Sequence, residues 1–261
     1  MITVRDIEQK LFAWAPQELA ASWDNVGHLV GEPDAEVKKV LVALDITESV
    51  VREAIDCGAD VIVAHHPVMN CKWHEVQRIR SDETQGRILI QMIRNGISAI
   101  CMHTNLDAAD GGVNDILAET LGLTDLVSLT EEKIGRVGTL KCEMPLVEFV
   151  QDVVKYLGCN GARFTDCGKS VHRVAVGGGA CGDYIPQAIA LGCDTFVTSD
   201  LKYHAFLDTK ELNLIDAGHF PTENVVCPVV AKRLETAFPA LEVTLTNVHD
   251  REVIQYCTKE N

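Results

Sequence analysis

The sequence lacks a surplus of basic charge, and this absence excludes several classes of partner. It contains 23 lysine and arginine residues against 38 aspartate and glutamate residues, and its formal net charge is -15. Because a surface that binds nucleic acid or an anionic membrane needs a basic footprint, neither partner is expected. An anionic small molecule remains open as a substrate, since bound metal ions can reverse the local field.

Paired cysteine motifs and long apolar runs are also missing. None of the ten cysteines stands in a C-x-x-C pair, and several lie within apolar or helical patterns. We therefore expect buried, reduced thiols in a cytoplasmic protein. No run reaches the roughly 18 apolar residues of a membrane span. The first residues lack the basic start and apolar stretch of a signal peptide, so none is expected.

Apolar runs of strand length alternate with helical patterns along the chain. The first half predicts helices over 4–14, 47–56 and 85–94, and strands over 40–44, 61–64 and 97–102. The second half predicts strands over 136–141, 174–176, 195–198 and 212–215, and helices over 145–156 and up to Ala190. This alternation favours an α/β fold with a parallel sheet and helices on its faces.

The two halves share a local pattern. Residues 40–63 align without gaps on residues 174–197, and the match centres on Ala-Ile-x-x-Gly-x-Asp, which begins at Ala54 and again at Ala188. An internal duplication explains this match, and so does the apolar pattern that any two strand-helix-strand units share. Both explanations predict the same local structure in the two halves.

Histidines and acidic residues follow the predicted strands at three places. His65 and His66 come directly after the strand over 61–64, and Asp107 follows the strand over 97–102 in His103-Thr-Asn-Leu-Asp. Ligands collect at the carboxyl ends of strands in an open parallel sheet. Adjacent residues of an extended chain point in opposite directions, so the two histidines suit two neighbouring ions. The alternative is a pair of capping or solvated histidines.

The third place is the segment Asp216-Ala-Gly-His-Phe-Pro-Thr-Glu, which carries His219 and Glu223. We expect Thr222 to cap a helix with Glu223 in its first turn, where the helix dipole would stabilise the carboxylate. Asp110 is expected to cap the helix that begins near Gly112. Imidazole and carboxylate together suit Zn, Fe, Mn or Co better than Mg or Ca, and a two-metal site can activate water for hydrolysis.

Two other motifs carry more than one interpretation. The loop from Gly177 to Gly182 fits G-x-G-x-x-G, which is typical of dinucleotide binding, of phosphate or substrate contact, or of a tight turn. Asp200 and His204 are spaced as a hydrogen-bonded pair on one helical turn, or as a pair that supports proton transfer. The remaining histidines are interpreted as structural or solvated: His28, His74, His172 and His249.

Together these motifs resemble the NIF3-like family, also called the GTP cyclohydrolase I type 2 homologues. The resemblance covers nearly the whole chain and is carried by six segments: Trp23-Asp-Asn-Val-Gly27, Ala64-His-His-Pro67, His103-Thr-Asn-Leu-Asp107, Gly135-Arg-Val-Gly138, Ser199-Asp-Leu-Lys-Tyr-His204 and Gly218-His-Phe-Pro-Thr-Glu223. Each segment alone is weak evidence. Their order and spacing make the match specific.

The resemblance implies a dinuclear metal centre with His65, His66, Asp107, His219 and Glu223 as ligands, with Glu223 bridging the two ions. It also implies two interlinked α/β lobes, expected over 1–128 plus 215–261 and over 129–214, and a ring-shaped homohexamer. The leading hypothesis is a metal-dependent hydrolase of a nucleotide or related phosphorylated small molecule, with His103 or His204 relaying protons. The alternative is a non-catalytic metal-binding scaffold or regulatory protein.

Overall fold

The computed structural model describes residues 1–71 and 75–257. In this part of the chain two compact units form. The first unit comprises Met1–Asp110 and Cys227–Asp250, and the second comprises Gly111–Val226 and the residues from Arg251 onward. The chain therefore leaves the first unit, forms most of the second, returns to the first and then passes again into the second. No helix among the described residues has the length and apolar composition needed to cross a membrane.

Short strands alternate with helices in both units. The helices are α1 (Val4–Trp14), α2 (Glu48–Cys57), α3 (Thr84–Arg94), α4 (Thr104–Ala108), α5 (Val113–Thr120), α6 (Leu146–Leu157), α7 (Ile185–Ala190), α8 (Tyr203–Asp208), α9 (His219–Glu223) and α10 (Cys227–Ala237). The strands are β1 (Gly27–Val30), β2 (Lys39–Ala43), β3 (Val61–Ala64), β4 (Ser98–Cys101), β5 (Thr124–Ser128), β6 (Arg136–Met144), β7 (Arg163–Thr165), β8 (Val171–Val176), β9 (Thr195–Thr198), β10 (Asn213–Asp216) and β11 (Glu242–Leu245).

The sheet of the first unit has the strand order β1-β4-β3-β2-β11. Strands β11, β2, β3 and β4 run parallel, and β1 pairs antiparallel with β4 at the edge. Strands β3 and β4 are buried along their whole length, as expected for parallel strands covered on both faces. Ala64 pairs with Cys101, so the residues that follow β3 and β4 leave the sheet side by side.

The sheet of the second unit has the order β5-β6-β8-β9-β10-β7. Strands β8, β9 and β10 run parallel, whereas β5, β6 and β7 pair antiparallel with their neighbours. Its core includes Phe149 and Val153 of α6 in one cluster and Phe196 and Leu214 in another. Burying one such apolar side chain contributes about 1.5–3 kcal/mol. Two apolar layers therefore enclose this sheet.

Local signals in the sequence explain where several helices begin and end. The side chain of Thr3 caps α1 by accepting a hydrogen bond from the amide of Asp6. The carboxylate of Asp6 in turn accepts a hydrogen bond from the amide of Thr3, which completes a capping box. Helix α1 then buries Val4, Ile7 and Leu11 at helical spacing. Gly58 ends α2 with φ of +72°, a conformation that glycine adopts without the penalty of a Cβ.

The sequence match between the two halves corresponds to a shared backbone arrangement. In the first unit Asp60 accepts hydrogen bonds from the amides of Lys38 and Lys39, at 2.7 and 2.9 Å. In the second unit Asp194 accepts from the amides of His172 and Arg173, at 2.9 and 2.6 Å. The same local structure is confirmed in β2-α2-β3 and β8-α7-β9.

The unit boundaries differ from those expected from the sequence, which placed residues 111–128, residues 215–226 and the residues from Arg251 onward in the first lobe. Strand β5 pairs with β6 of the second sheet, and α5 buries Leu117 in the core of that unit. Strand β10, at the start of the second of these segments, pairs with β9 and β7. Sheet pairing and core packing therefore assign α5 and α9 to the second unit.

Two expected helix caps are wrong. Helix α5 follows Gly112 rather than Asp110, and no side chain caps it. Thr222 lies inside the short helix α9, where its hydroxyl donates to the carbonyls of Gly218 and His219. Glu223 is consequently the last residue of α9. Helix α10 starts separately at Cys227, and this places Pro228 in its first turn, where a missing N–H is tolerated.

Candidate metal centre

Three buried histidines converge at the carboxyl ends of β3 and β4. His65 and His66 follow β3, and His103 lies next to β4 as the residue before α4. Their ring centroids are 5.0 Å (His65–His66), 5.2 Å (His65–His103) and 5.6 Å (His66–His103) apart. One ring nitrogen from each can be chosen so that all three atoms lie within 4.8 Å of one another. This spacing fits ligands around a metal ion.

Hydrogen bonds fix the orientation of all three rings. The Nδ1 atom of His65 lies 2.8 Å from the carbonyl oxygen of Met102, and Nδ1 of His66 lies 2.7 Å from Oδ1 of Asp45. His103 places Nδ1 at 2.9 Å from both carboxylate oxygens of Asp24. Because a carbonyl or carboxylate can only accept, Nδ1 donates in each case, and Nε2 is the ring nitrogen that could bind a metal ion or carry a proton. Metal-binding histidines in proteins show this arrangement.

Asp107 faces the same histidines from α4. It is buried, and its Oδ1 lies 3.7 Å from Nε2 of His65. Two ligands bound at about 2.1 Å to one ion, at a tetrahedral angle, are about 3.4 Å apart. The separation between Asp107 and His65 is therefore close to that of two ligands of a shared ion.

Two carboxylates to which the sequence analysis assigned no role, Asp24 and Asp45, orient the rings of His103 and His66. Burial acts to raise the pKa of Asp24, but hydrogen bonds from His103 and Thr104 outweigh it and lower the pKa to about 2. Burial opposes the shift at Asp45 too, yet hydrogen bonds from His249 and His66 hold the pKa of this carboxyl well below its usual range. Both aspartates are therefore ionised acceptors at neutral pH.

His249 joins this network, although the sequence suggested a structural or solvated role. Its Nε2 lies 2.8 Å from Oδ2 of Asp45, whose other oxygen holds His66. Position in the sheet offered one signal for Asp45, which follows β2 near the carboxyl edge that carries His65. Nothing in the spacing indicated His249, because 204 positions separate it from Asp45.

The second unit contains a smaller set of ligand atoms, on α9. Nε2 of His219 lies 3.0 Å from Oε2 of Glu223, and Nδ1 of His219 lies 2.7 Å from Oδ2 of Asp200. Glu223 is 4% exposed. Asp200 adopts a left-handed backbone conformation with φ of +57°, and its pKa is lowered by the hydrogen bond from His219. Asp200 therefore orients His219 as Asp45 orients His66.

The charge state of His219 follows from the same contacts. Burial acts to lower the pKa of His219, but hydrogen bonds with Asp200 and Glu223 outweigh it and raise the pKa to about 11. A metal ion that binds at Nε2 must displace the proton held there.

The glycine-rich loop from Gly177 to Gly182 packs against this pair. Gly179 has φ of +64°, and a Cβ at this position would lie 2.1 Å from Oε1 of Glu223 and 3.1 Å from Nε2 of His219. The loop's amides are used within the protein: Gly178 donates to Asn114, Gly179 to Thr222 and Cys181 to Thr198. A pyrophosphate would need such amides to be available. The glycines instead permit close approach of backbone to Glu223.

The other sequence candidates lie elsewhere. His204 is exposed on α8, where its ring contacts that of Tyr203 at a centroid distance of 5.3 Å. The hydrogen bond of Asp200 goes to His219, so the expected pairing of Asp200 with His204 is replaced by a different one. His28 lies on β1 and His172 on β8. His74 falls outside the described residues.

Comparison with known proteins assigns the family. Residues 2–252 match the model of the family described as Duf34/NIF3 (NGG1p interacting factor 3). A Clostridium perfringens protein named GTP cyclohydrolase 1 type 2 homolog is 35% identical over 230 residues, covering 85% of this chain and 87% of that protein. A protein of the same name from Clostridium acetobutylicum is 34% identical over 248 residues, covering 90% and 91%.

Solved structures share the same fold. A Bacillus cereus protein related to NIF3 is 25% identical, with a TM-score of 0.88 over 98% of this chain and 100% of that one. A hypothetical protein from Staphylococcus aureus is 28% identical, with a TM-score of 0.88 over 98% and 99%. Reduced HcgD from Methanocaldococcus jannaschii is 28% identical, with a TM-score of 0.82 over 94% and 98%.

The fold and the candidate site together define the class of protein. It is an α/β protein whose buried histidine and carboxylate groups have the spacing needed to hold metal ions. The chain belongs to the DUF34/NIF3 family.

Proposed function

We propose that this protein is a metal-dependent hydrolase that binds two divalent ions through His65, His66, Asp107, His219 and Glu223, with Glu223 bridging. The observation that carries the proposal is the orientation of the histidines. His65, His66 and His219 each direct Nδ1 to a carbonyl or carboxylate oxygen, so each offers Nε2 as a ligand. Chance clustering of histidines gives no reason for this uniform arrangement.

The donor atoms fit a borderline transition metal. Imidazole nitrogens with carboxylate oxygens suit Zn, Fe, Mn or Co, whereas an all-oxygen set would suit Mg or Ca. Two such ions, when bound, lower the pKa of coordinated water towards neutrality and polarise the group under attack. The protein's own contribution is to hold each Nε2 in place through Asp45, Asp200 and the Met102 carbonyl, and so to keep the ligand atoms preorganised.

His103 is the proposed proton-transfer residue. Its ring lies beside those of His65 and His66, and Asp24 fixes its Nδ1, so a proton can be held or moved at Nε2. His204, which is exposed on α8, is the second candidate for this step. His103→Gln is expected to lower kcat by about 10²–10⁴-fold with metal content retained.

The proposed substrate is a nucleotide or a related phosphorylated small molecule. The relatives named GTP cyclohydrolase 1 type 2 homolog suggest this class. In a chain of net charge -15, bound cations would supply the positive field that a phosphorylated substrate needs. The proposal also includes a cytoplasmic location and a ring-shaped homohexamer, for which solution mass measurement should return six times the chain mass of 28.6 kDa.

A single set of measurements tests the metal and the chemistry together. Purified protein is loaded with Zn, Mn, Fe or Co, its metal content is measured by mass spectrometry, and hydrolysis is screened against nucleotides and phosphodiesters with and without chelator. We expect about two ions per chain and chelator-sensitive turnover. Glu223→Gln should lower both, whereas His172→Gln, which alters an exposed histidine on β8, should leave both unchanged.

Two results would count against the proposal. Retention of metal and turnover by the Glu223→Gln variant would exclude the bridging role. Full metal content with no turnover across the panel would favour the non-catalytic scaffold or regulatory protein.

A further inference from the structure

An exposed indole lies beside the histidine cluster of the first unit. Trp23 is 53% exposed, and its ring meets the ring of His103 edge-on at a centroid distance of 6.0 Å. A single exposed apolar side chain is ordinary on a protein surface; what distinguishes Trp23 is that its ring contacts a histidine of the cluster.

The backbone around Trp23 is anchored on both sides. The amide of Ala21 donates to Oγ1 of Thr104 at 2.9 Å, and the amide of Asp24 donates to the carbonyl of Ala21 at 2.9 Å. Asn25 donates through Nδ2 to the carbonyl of Met69 at 2.8 Å. The adjacent Asp24 holds Nδ1 of His103. One turn therefore both orients a histidine of the cluster and presents the indole.

Trp14, another tryptophan of this unit, has a different environment. Trp14 donates from Nε1 to the carbonyl of Asp110 at 3.0 Å, and the guanidinium of Arg233 lies 4.0 Å from its ring centroid. These contacts give Trp14 a structural role within the first unit. Trp23 is exposed although it has the same side chain, so the two residues form a matched pair for experiment.

We propose that Trp23 is a stacking platform for a planar heteroaromatic ring of the substrate, such as a purine, beside the metal-binding histidines. This inference rests on the proposed function and names the part of the substrate that the protein itself recognises. Cations and imidazoles suit phosphate and carbonyl oxygens, whereas a flat ring needs an aromatic face. Stacking on one aromatic side chain corresponds to about 5- to 100-fold in affinity.

The test compares two ligands and three variants in the metal-loaded protein. GTP carries a purine, and inorganic tripolyphosphate carries the phosphates alone; affinities are measured by calorimetry for the wild type and for Trp23→Ala, Trp23→Phe and Trp14→Phe. We expect Trp23→Ala to weaken GTP binding by about 5- to 100-fold and to leave tripolyphosphate binding unchanged. Trp23→Phe should retain most of the GTP affinity, because phenylalanine keeps an aromatic face.

Fluorescence gives an independent measure. GTP should quench tryptophan emission in the wild type and in Trp14→Phe, and the quenching should be reduced in Trp23→Phe, which retains Trp14 and Trp73. Equal GTP affinity in the wild type and Trp23→Ala would overturn the inference, as would tripolyphosphate binding without GTP binding in the wild type. A change in solution mass for Trp23→Ala, with GTP affinity unchanged, would assign the indole to subunit contact instead.

The failure of the inference differs from the failure of the proposed function. Trp23-dependent binding of GTP by metal-loaded protein that shows no turnover across the panel would support the platform and contradict the metal-dependent hydrolase. Metal-dependent turnover that Trp23→Ala leaves unchanged would support the hydrolase and contradict the platform.

Discussion

The two units use the same backbone arrangement to present different side chains. The alignment of residues 40–63 with 174–197, continued past the strands, places His65 opposite Ser199 and His66 opposite Asp200. After β3 the first unit therefore presents two imidazoles. After β9 the second unit presents a carboxylate that orients the histidine of α9. The same strand ends supply candidate ligands in one unit and a supporting residue in the other.

The correspondence extends to the next strand and helix of each unit. The amide of Met102 donates to the carbonyl of Ala64, and that of Ala217 donates to Thr198, both at 2.9 Å. A five-residue helix follows at once in each case, and each carries a buried acid: Asp107 on α4 and Glu223 on α9. These matching hydrogen bonds show that the shared backbone arrangement continues beyond residues 63 and 197. The two units therefore share a frame but differ in the number of histidines they present, with three in the first cluster and one in the second.

The ligand sets predict the largest difference between the units. His66→Ala should lower metal affinity by more than 100-fold, because loss of a direct ligand exceeds the 10- to 100-fold typical of outer partners. His219→Ala should have a smaller effect on total metal content, because it leaves the histidines of the first cluster intact. Metal content at limiting free ion concentration measures both. Equal losses of metal in the His66→Ala and His219→Ala variants would contradict this prediction.

The residues that support His66 are expected to have the next largest effect. Asp45→Ala removes the acceptor of Nδ1 and should weaken metal binding by about 10- to 100-fold. His249→Gln, which acts on His66 through Asp45, should weaken it less, and an altered cobalt absorption spectrum would report the changed ligand field. Asp34→Asn, in an exposed pair with Arg5, is the control and should change nothing. If the Asp45→Ala variant binds metal as tightly as the wild type, Asp45 does not support the site.

A pair of glycines in the second unit separates backbone strain from contact with the site. Gly179 and Gly192 have φ of +64° and +71°, but only Gly179 has Glu223 within reach of an added Cβ. Gly192→Ala should cost about 1–2 kcal/mol in free energy of unfolding from its backbone conformation. Gly179→Ala should cost more and should also lower metal content, because Glu223 must move. Denaturant unfolding measures the loss of stability, and metal analysis measures the loss of metal. Equal losses in Gly179→Ala and Gly192→Ala would contradict the predicted effect on Glu223.

Acid titration distinguishes the buried Asp24 from an exposed carboxylate. The pKa of Asp24 is about 2 in the folded protein and about 3.8 when unperturbed. Its contribution to stability, on the order of 2 kcal/mol, is therefore present above about pH 4 and is lost as the pH falls towards 2. Asp24→Asn should be destabilised at pH 7, and its difference from the wild type should shrink below pH 4. A constant difference across this range would contradict the assignment.

Thiol labelling should show the smallest effect and should map to one unit. Burial raises the pKa of Cys101 to about 12 and that of Cys193 to about 11. Cys142 and Cys257, both in the second unit, are exposed. At neutral pH a maleimide should therefore modify the two exposed residues first, as peptide mass mapping would reveal. Rapid labelling of Cys101 would indicate local opening of the first sheet.

Sequence patterns located most of the elements but not the supports of the site. The strand ends at His65 and His219 followed from apolar runs, since a buried strand leaves an unbroken apolar segment. Asp24, Asp45 and His249 escaped because their partners are distant in sequence: 79 positions separate Asp24 from His103, and 204 separate Asp45 from His249. A hydrogen bond over such separations leaves no periodic pattern.

The strand-helix alternation, the repeated Gly-x-Asp turn and the chemical types of the candidate metal ligands follow from the amino-acid sequence alone. These features depend on local propensity and on residue chemistry, which neighbouring positions specify. Tertiary structure alone decided that α5 and α9 belong to the second unit, that Asp200 serves His219, and that the glycine loop accommodates Glu223. Each of these results is a contact between segments far apart in the chain, and only the folded backbone brings such segments together.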